Sequence, residues 1–156
     1  MSTSTTDFHG VVWEALQDDA TLAGYVKQWV RGTGTPQHAI MFPYLEFNIL
    51  RFSNEIVKIG PRGKATVETT YTCAIDIMLS NLSIDVLFAG DDNNPGIYEF
   101  IDDVIAVVQH KQWGILEKPS IVRTGEVIIA QGDKFIVGAT IDLECVVSNL
   151  NEICGG

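Results

Sequence analysis

The residue types that most often carry out catalysis or bind metals are sparse and scattered in this sequence. The three histidines, His9, His38 and His110, lie far apart along the chain, so their spacing favours neither a catalytic triad nor a metal cluster. No phosphate-binding glycine loop, zinc-protease helix motif or nucleophile elbow occurs. The sequence therefore predicts no catalytic residue, no metal site and no cofactor, and each histidine is expected to have a surface or capping role.

Two acidic clusters resemble functional sites only in composition. Asp102 and Asp103 are adjacent in a predicted helix, where neighbouring side chains point about 100° apart and do not converge on one substrate. Residues 91–94 are rich in Asp and Asn but lack the acid spacing, the central glycine and the distal glutamate of a calcium-binding EF-hand loop. We expect a solvated helix face for the first cluster and helix capping for the second.

The cysteines also indicate no site. Cys73, Cys145 and Cys154 form no CxxC pair and are odd in number, which argues against a disulfide framework or a zinc site. Cys73 and Cys145 fall on the apolar phase of predicted strands, so we expect both to be reduced thiols in the core.

Composition indicates one soluble, acidic domain over residues 1–156. The chain is 46% hydrophobic and 19% charged, which is typical of a globular protein. Its apolar runs are too short to span a membrane, and its polar N-terminus does not resemble a secretory signal, so cytosolic synthesis is expected. A formal charge of −10 argues against a general nucleic-acid binder, because such proteins neutralise phosphates with Lys and Arg.

Hydrophobic spacing predicts helices at the start and in the middle of the chain. After a loose tail at residues 1–6, Asp7 is expected to cap a first helix, and Thr21 to Trp29 is predicted to form a second, before a loop at Gly32–Pro36. A longer amphipathic helix is predicted from Ile97 through Val108, with His110 and Lys111 in its last turn.

Alternating apolar residues predict strands elsewhere. They run from Pro43 to Ile59, from Thr66 to Leu79, and through a closing hairpin of Val122–Ala130 and Phe135–Val147. The fold class is therefore α+β. We expect a mainly antiparallel sheet of roughly four to six strands, packed by one long amphipathic helix. A flexible C-terminus is expected at residues 150–156.

The hairpin around Gly60 is predicted to project from the body. A strand from Thr66 to Leu79 could reach roughly 46 Å, more than the roughly 40 Å diameter of a globule of this length. Cations gather near its tip, and we expect Arg51, Lys58, Arg62 and Lys64 to form a subunit-interface arm. Segment 51–64 carries a charge of +3, which leaves −13 on the rest of a chain whose total is −10. A basic arm on an acidic body favours self-association, although an ordinary solvated loop explains the same charges.

The order of these elements resembles that of tail terminator and neck proteins of tailed bacteriophages. The resemblance covers nearly the whole chain: an N-terminal helical segment (Phe8 to Trp29), a Pro-Tyr-Leu-Glu-Phe strand (Pro43 to Phe47), a long Thr-rich strand, one amphipathic helix and a closing hairpin. It lies in layout and carries no diagnostic motif. It implies a ring, commonly a hexamer, that caps the tail tube and joins it to the neck connector, with DNA passing through the lumen without specific binding. It also implies assembly in the host cytoplasm and a place in the virion.

Two other interpretations fit the same sequence. A monomeric α+β ligand-binding module or small enzyme would assemble its pocket from dispersed residues, near the helix carrying Asp102. Within the structural class, a tail tube subunit or a head–tail connector would share the same sheet-rich pattern.

Overall fold

The computed structural model describes residues 3–31, 41–131 and 134–152. Its four α-helices are α1 (Thr5–Asp18), α2 (Ala20–Tyr25), α3 (Ile84–Ala89) and α4 (Ile97–Val108). Its five strands are β1 (Gln28–Arg31), β2 (Tyr44–Ile59), β3 (Lys64–Asn81), β4 (Ile121–Gln131) and β5 (Phe135–Glu152). A short 3₁₀ turn, Pro61–Gly63, joins β2 to β3. The α+β class predicted from the sequence is therefore confirmed.

The five strands form one open sheet in the order β1-β2-β3-β5-β4. The β2, β3, β5 and β4 neighbours pair antiparallel, whereas the short β1 runs parallel to the first four residues of β2. The sheet is therefore mixed rather than all antiparallel. β3, the middle strand, and its neighbour β5 are 18 residues each and pair along their whole length.

Helices cover one face of this sheet, which we call the helix face. Alternate residues of β3 and β5, from Tyr71 to Leu79 and from Val137 to Val147, point into a core shared with Phe8, Leu16 and Phe100. The opposite face, which we call the open face, has no helix against it in the described part of the chain. Period-two side-chain alternation explains the division, because it sends successive residues to opposite faces.

Packing against the sheet is shared among helices, which differs from the single long helix expected. α1 has 14 residues and buries Phe8, Val12, Trp13 and Leu16, whereas α4 has 12 and buries Ile97, Phe100, Val104 and Val108. The short α3 was not predicted from the sequence. Its six residues are too few to show a full helical period.

The helix ends differ from the prediction at two places. Ser4, not Asp7, caps α1, and its hydroxyl oxygen accepts a hydrogen bond from the Asp7 backbone N–H at 3.0 Å. The predicted second helix stops at Tyr25, because Val26 is already extended, and Trp29 lies in β1 instead. Pairing with β2 supplies backbone hydrogen bonds that favour a strand there over the helical spacing of the side chains.

The predicted bounds of other segments are close to those observed. α4 spans Ile97–Val108 as expected, and Gln109 is its C-cap, so His110 and Lys111 follow the helix. The closing hairpin pairs as predicted, but β5 continues to Glu152, beyond the predicted end at Val147. Thr5 and Thr6, predicted to belong to a loose tail, begin α1. The predicted loop at Gly32–Pro36 and residues 153–156 lie outside the described residues.

Candidate assembly surfaces

The predicted arm is the end of the sheet formed by the second half of β2, the Pro61–Gly63 turn and the start of β3. β2 is exposed from Leu50 through Ile59, whereas its first five residues are mostly buried. The arm is not a two-stranded hairpin, because β3 also pairs with β5 here, from Lys64 opposite Glu152 onwards. The extra length of β5 makes the arm three strands wide.

One face of the arm is apolar. Two register shifts in β2, after Ile49 and after Ile56, keep its apolar residues in phase with the core strands. Phe52 lies opposite the buried Tyr71 and therefore on the helix face. Ile56 and Ile59 continue that row, and the three side chains remain 62%, 54% and 68% exposed.

The opposite face of the arm carries the cations. Arg51 and Lys58 lie opposite Thr72 and Thr66, so both are on the open face. Arg62 is at the tip in a left-handed conformation, with φ of 62°. All four predicted arm residues, including Lys64 at the start of β3, are exposed. The structure therefore places them on one end of the sheet, and their part in association stays a prediction.

The far edge of the sheet carries a second apolar patch. On β4, Val127, Ile128 and Ile129 are exposed by 41%, 55% and 53%. Val127 and Ile129 lie opposite the buried Ala139 and Val137, on the helix face, and Ile128 lies on the open face. Sequence reasoning assigned these residues to a strand but did not recognise them as a surface, because a lone apolar run does not reveal which strand lies at an edge.

Both patches lie on strand edges that nothing else pairs with in the described ranges. β1 pairs with β2 only from Tyr44 to Phe47, so β2 from residue 48 to 59 has one unpaired side. β4 pairs with β5 alone. An unpaired edge presents a row of backbone N–H and C=O groups that can pair with another strand.

The open face of the sheet contains an apolar groove with two carboxylates. The groove has a volume of about 300 Å³ and is lined by residues that include Tyr44, Met78 and Ile128. Glu46 lies directly opposite Asp76 on the neighbouring strand, and Asp76 accepts a hydrogen bond from the Thr140 hydroxyl at 2.6 Å. Burial, followed by the repulsion of Asp76, raises the pKa of Glu46.

Tyr44 lies in the same groove as these two carboxylates. Burial, followed by the nearby Glu46 and Asp76 carboxylates, raises the pKa of Tyr44 to about 12, so the phenol stays neutral near pH 7. An apolar lining with two carboxylates suits contact with an apolar or cationic surface.

The other candidate residues have structural roles. Cys73 and Cys145 are buried free thiols, as predicted, and burial raises the pKa of Cys145 to about 12. Asp103 accepts a hydrogen bond from the Tyr25 hydroxyl at 2.8 Å, so it ties α2 to α4 instead of being fully solvated as expected; Asp102 is exposed. His9 packs between the rings of Trp13 and Phe47, and burial, followed by Arg31, lowers its pKa.

The predicted capping cluster at residues 91–94 organises its own turn. The Asp91 carboxylate accepts hydrogen bonds from the backbone N–H groups of Asn93 and Asn94 at 2.9 and 2.8 Å. These bonds lower the pKa of Asp91. The N-cap of α4 is Gly96, so the expected helix-capping role is wrong for Asp91.

No group of three or more potential metal ligands comes together in the part of the chain that the structure describes. The cavity beside α4 is about 210 Å³; its lining is mainly apolar, including Ile101, Ile105, Val122 and Ile141, and also contains Thr124, Glu126 and Thr140. None of the described helices is long and apolar enough to cross a membrane.

No model of a known protein family matches the chain, and no curated protein matches it. The two exposed strand edges and the open face are therefore interpreted from their own physical chemistry.

Proposed function

We propose that this protein is a structural assembly subunit that forms a homo-oligomeric ring, and that the ring is a tail terminator of a tailed bacteriophage. The observation that carries the proposal is a pair of sheet edges, one on β2 and one on β4, that no other described strand pairs with and that are lined with exposed large apolar side chains. A monomer gains nothing by exposing such edges, which are aggregation sites unless another strand covers them.

The two edges differ from each other, and this favours a ring over a simple twofold dimer. A contact between unlike surfaces leaves one edge free on each side of a pair, so further copies add until the rotation closes. With only one kind of edge exposed, association would stop at two copies. The expected ring size, commonly six, comes from the resemblance in layout to tail terminator and neck proteins.

The charges of the open face suit a lumen through which DNA passes. Glu46, Asp76 and Asp142 lie on this face, on three adjacent strands. If helices lie outside and the acidic part of the open face lines the ring, away from Arg51 and Lys58 of the arm, DNA meets like charge there and does not adhere to the wall. The proposed partners are the phage tail tube and the neck connector, and the proposed location is the tail–neck junction of the virion.

Electron microscopy of the purified protein tests the proposal most directly. We expect short rings of uniform diameter that bind to one end of isolated tail tubes, together with an oligomer of matching mass by light scattering. A protein that remains monomeric at high concentration and leaves tail tubes bare would contradict the proposal.

The same images separate the remaining interpretations. Long tubes formed by the protein alone would favour a tail tube subunit, and rings that bind heads but not tails would favour a connector. A small-molecule binding module or small enzyme would remain monomeric; the groove containing Glu46 and Asp76 is the observation in its favour.

A further inference from the structure

We infer that copies of the protein join by antiparallel pairing of the free edge of β2 in one copy with β4 of the next copy. This inference rests on the proposed ring and names the two strands that would close it. The surfaces are the β2 edge from residue 48 to 59 and the outer edge of β4.

Strand direction agrees with this pairing. β2, β3, β5 and β4 alternate in direction across the sheet, so β4 runs opposite to β2. A second copy placed beside the first by a rotation therefore presents its β4 antiparallel to β2, with both helix faces on the same side. The sheet continues from copy to copy without a reversal of its faces.

The two edges also match in length. β2 has 16 residues, of which the first four pair with β1, and this leaves 12 for a new partner. β4 has 11 residues. Nearly all backbone groups of both edges can therefore be paired by one contact.

The two free edges are at different positions along the strand direction. This offset determines how a second copy must be placed. Across the sheet, Arg51 pairs with Thr72, Thr72 with Glu144, and Glu144 with Ile121. β4 thus begins level with the base of the arm and runs away from its tip. The next copy must be displaced along the strands before its β4 can face the free edge.

Only an even displacement keeps the apolar rows on one face, because side chains alternate with a period of two. A displacement of about four residues would run the last part of β4 into the position of β1, which follows from the observed registers. A displacement of about eight residues would place Glu126 opposite Glu55, and like charges directly opposite each other are destabilising. A displacement of about six residues avoids nearly all the overlap between β4 and β1, and it sets Glu126 opposite the neutral Ser53.

The same displacement fits a closed ring of strands. Six residues correspond to a stagger of roughly 20 Å, and four strand spacings across one copy span roughly 19 Å. The stagger divided by the width is the tangent of the strand tilt relative to the ring axis. The tilt is therefore roughly 45°, within the range of closed barrels. A displacement of about eight residues would need a tilt of roughly 54°.

This register brings the exposed apolar side chains of the two edges together. Phe52 lies opposite Val127, and Ile56 lies opposite Val122, all on the helix face. In this register Arg51 lies opposite Ile128 and Lys58 opposite Ile121, so these two cations meet no like charge. The contact therefore combines strand pairing with apolar burial and sets no like charges directly opposite each other, which is why we assign it to a second copy.

Engineered cysteines test the pairing. One protein carries Phe52→Cys and another Val127→Cys, both with Cys154→Ser; the native Cys73 and Cys145 are buried. A disulfide needs Cα atoms about 4.4–6.8 Å apart. On oxidation we expect the mixture to shift to a covalent dimer in non-reducing electrophoresis, and each protein alone to remain a single chain. A second pair, Ile56→Cys with Val122→Cys, gives the same test at another point of the register.

The matched control replaces Val127→Cys by Ile128→Cys, on the opposite face of the same strand. No covalent dimer is expected from that mixture. A covalent dimer of the Phe52→Cys protein alone would overturn the inference in favour of a β2–β2 contact. Folded variants that form rings without cross-linking through either pair would also overturn it while leaving the proposed function intact. A strictly monomeric wild-type protein would contradict the proposed function itself.

Discussion

Glu46 and Asp76 place two carboxylates side by side on the open face, at a cost in stability. They lie directly opposite each other on adjacent strands of the open face, and burial followed by this repulsion raises the pKa of Glu46. Two like charges in this arrangement destabilise a sheet by roughly 0.2–1 kcal/mol. The pair therefore costs stability that a sheet selected for stability alone would not lose.

Glu46→Gln is expected to stabilise the protein at pH 7 by roughly 0.2–1 kcal/mol. A raised pKa means that the folded state holds the proton more tightly than the unfolded state, so the penalty is complete above the folded pKa. The gain should shrink as the pH falls through that pKa and vanish below the unfolded value, near 4.5. Urea unfolding of both proteins between pH 3 and 8 measures the difference.

The matched control for this substitution is Glu117→Gln, an exposed residue outside the helices and strands. It makes the same change in net charge and is expected to alter stability by less than about 0.5 kcal/mol. Equal effects of the two substitutions would show that net charge, not the Glu46–Asp76 pair, is responsible.

At the scale of elements, the arm combines an apolar face and a basic face on the same strands. Phe52, Ile56 and Ile59 occupy one face, and Arg51 and Lys58 occupy the other. The two register shifts of β2 produce this separation, because each changes which residues of the strand point to the helix face. A regular β2 would have mixed apolar and basic side chains on both faces.

The double substitution Arg62→Glu and Lys64→Glu is expected to weaken self-association about tenfold, or ~1.4 kcal/mol, since each exposed ion pair contributes roughly 0.2–1 kcal/mol. The tip would then repel the acidic body of a second copy. Sedimentation across a range of protein concentrations measures the change.

The double substitution Lys111→Glu and Lys118→Glu is the control, because both residues are exposed, lie outside the arm and give the same net charge. Association that falls equally in both proteins would assign the effect to overall charge and not to the arm. Association unchanged in the arm variant would remove the cations from the interface.

At the scale of the whole molecule, an open five-stranded sheet has two edges, and both remain available for contact in the described part of the chain. Helices cover one face and leave the other open, so the molecule has unlike faces as well as unlike edges. This arrangement suits a subunit whose copies join side by side. In the proposed ring, one face would lie toward the lumen and the other toward the outside.

Self-association should make thermal stability depend on concentration, because an oligomer stabilises the folded state by mass action. We expect the unfolding midpoint of the wild-type protein to rise over a hundredfold increase in concentration. The Phe52→Lys variant, which removes an exposed apolar side chain of the arm, should show a smaller rise. A midpoint independent of concentration in the wild type would indicate that no stable oligomer forms.

Local patterns in the sequence were enough to predict α4 and the pairing of β4 with β5, because their side-chain periods are long and uninterrupted. They were not enough for β1, whose helical spacing is overridden by pairing with β2. The four cations of the arm could be predicted as a cluster, since they are close in the chain. The apolar row on β4 could not be recognised as a surface from sequence.

What the sequence determined by itself is therefore the α+β class, the acidic charge and the gathering of cations near residue 60. Composition and side-chain periodicity are properties of neighbours along the chain, and neighbours are visible without a fold. The tertiary structure alone decided which strands lie at the edges, which face stays open and how far the edges are staggered. These depend on pairings between residues up to tens of positions apart, which local side-chain patterns do not specify.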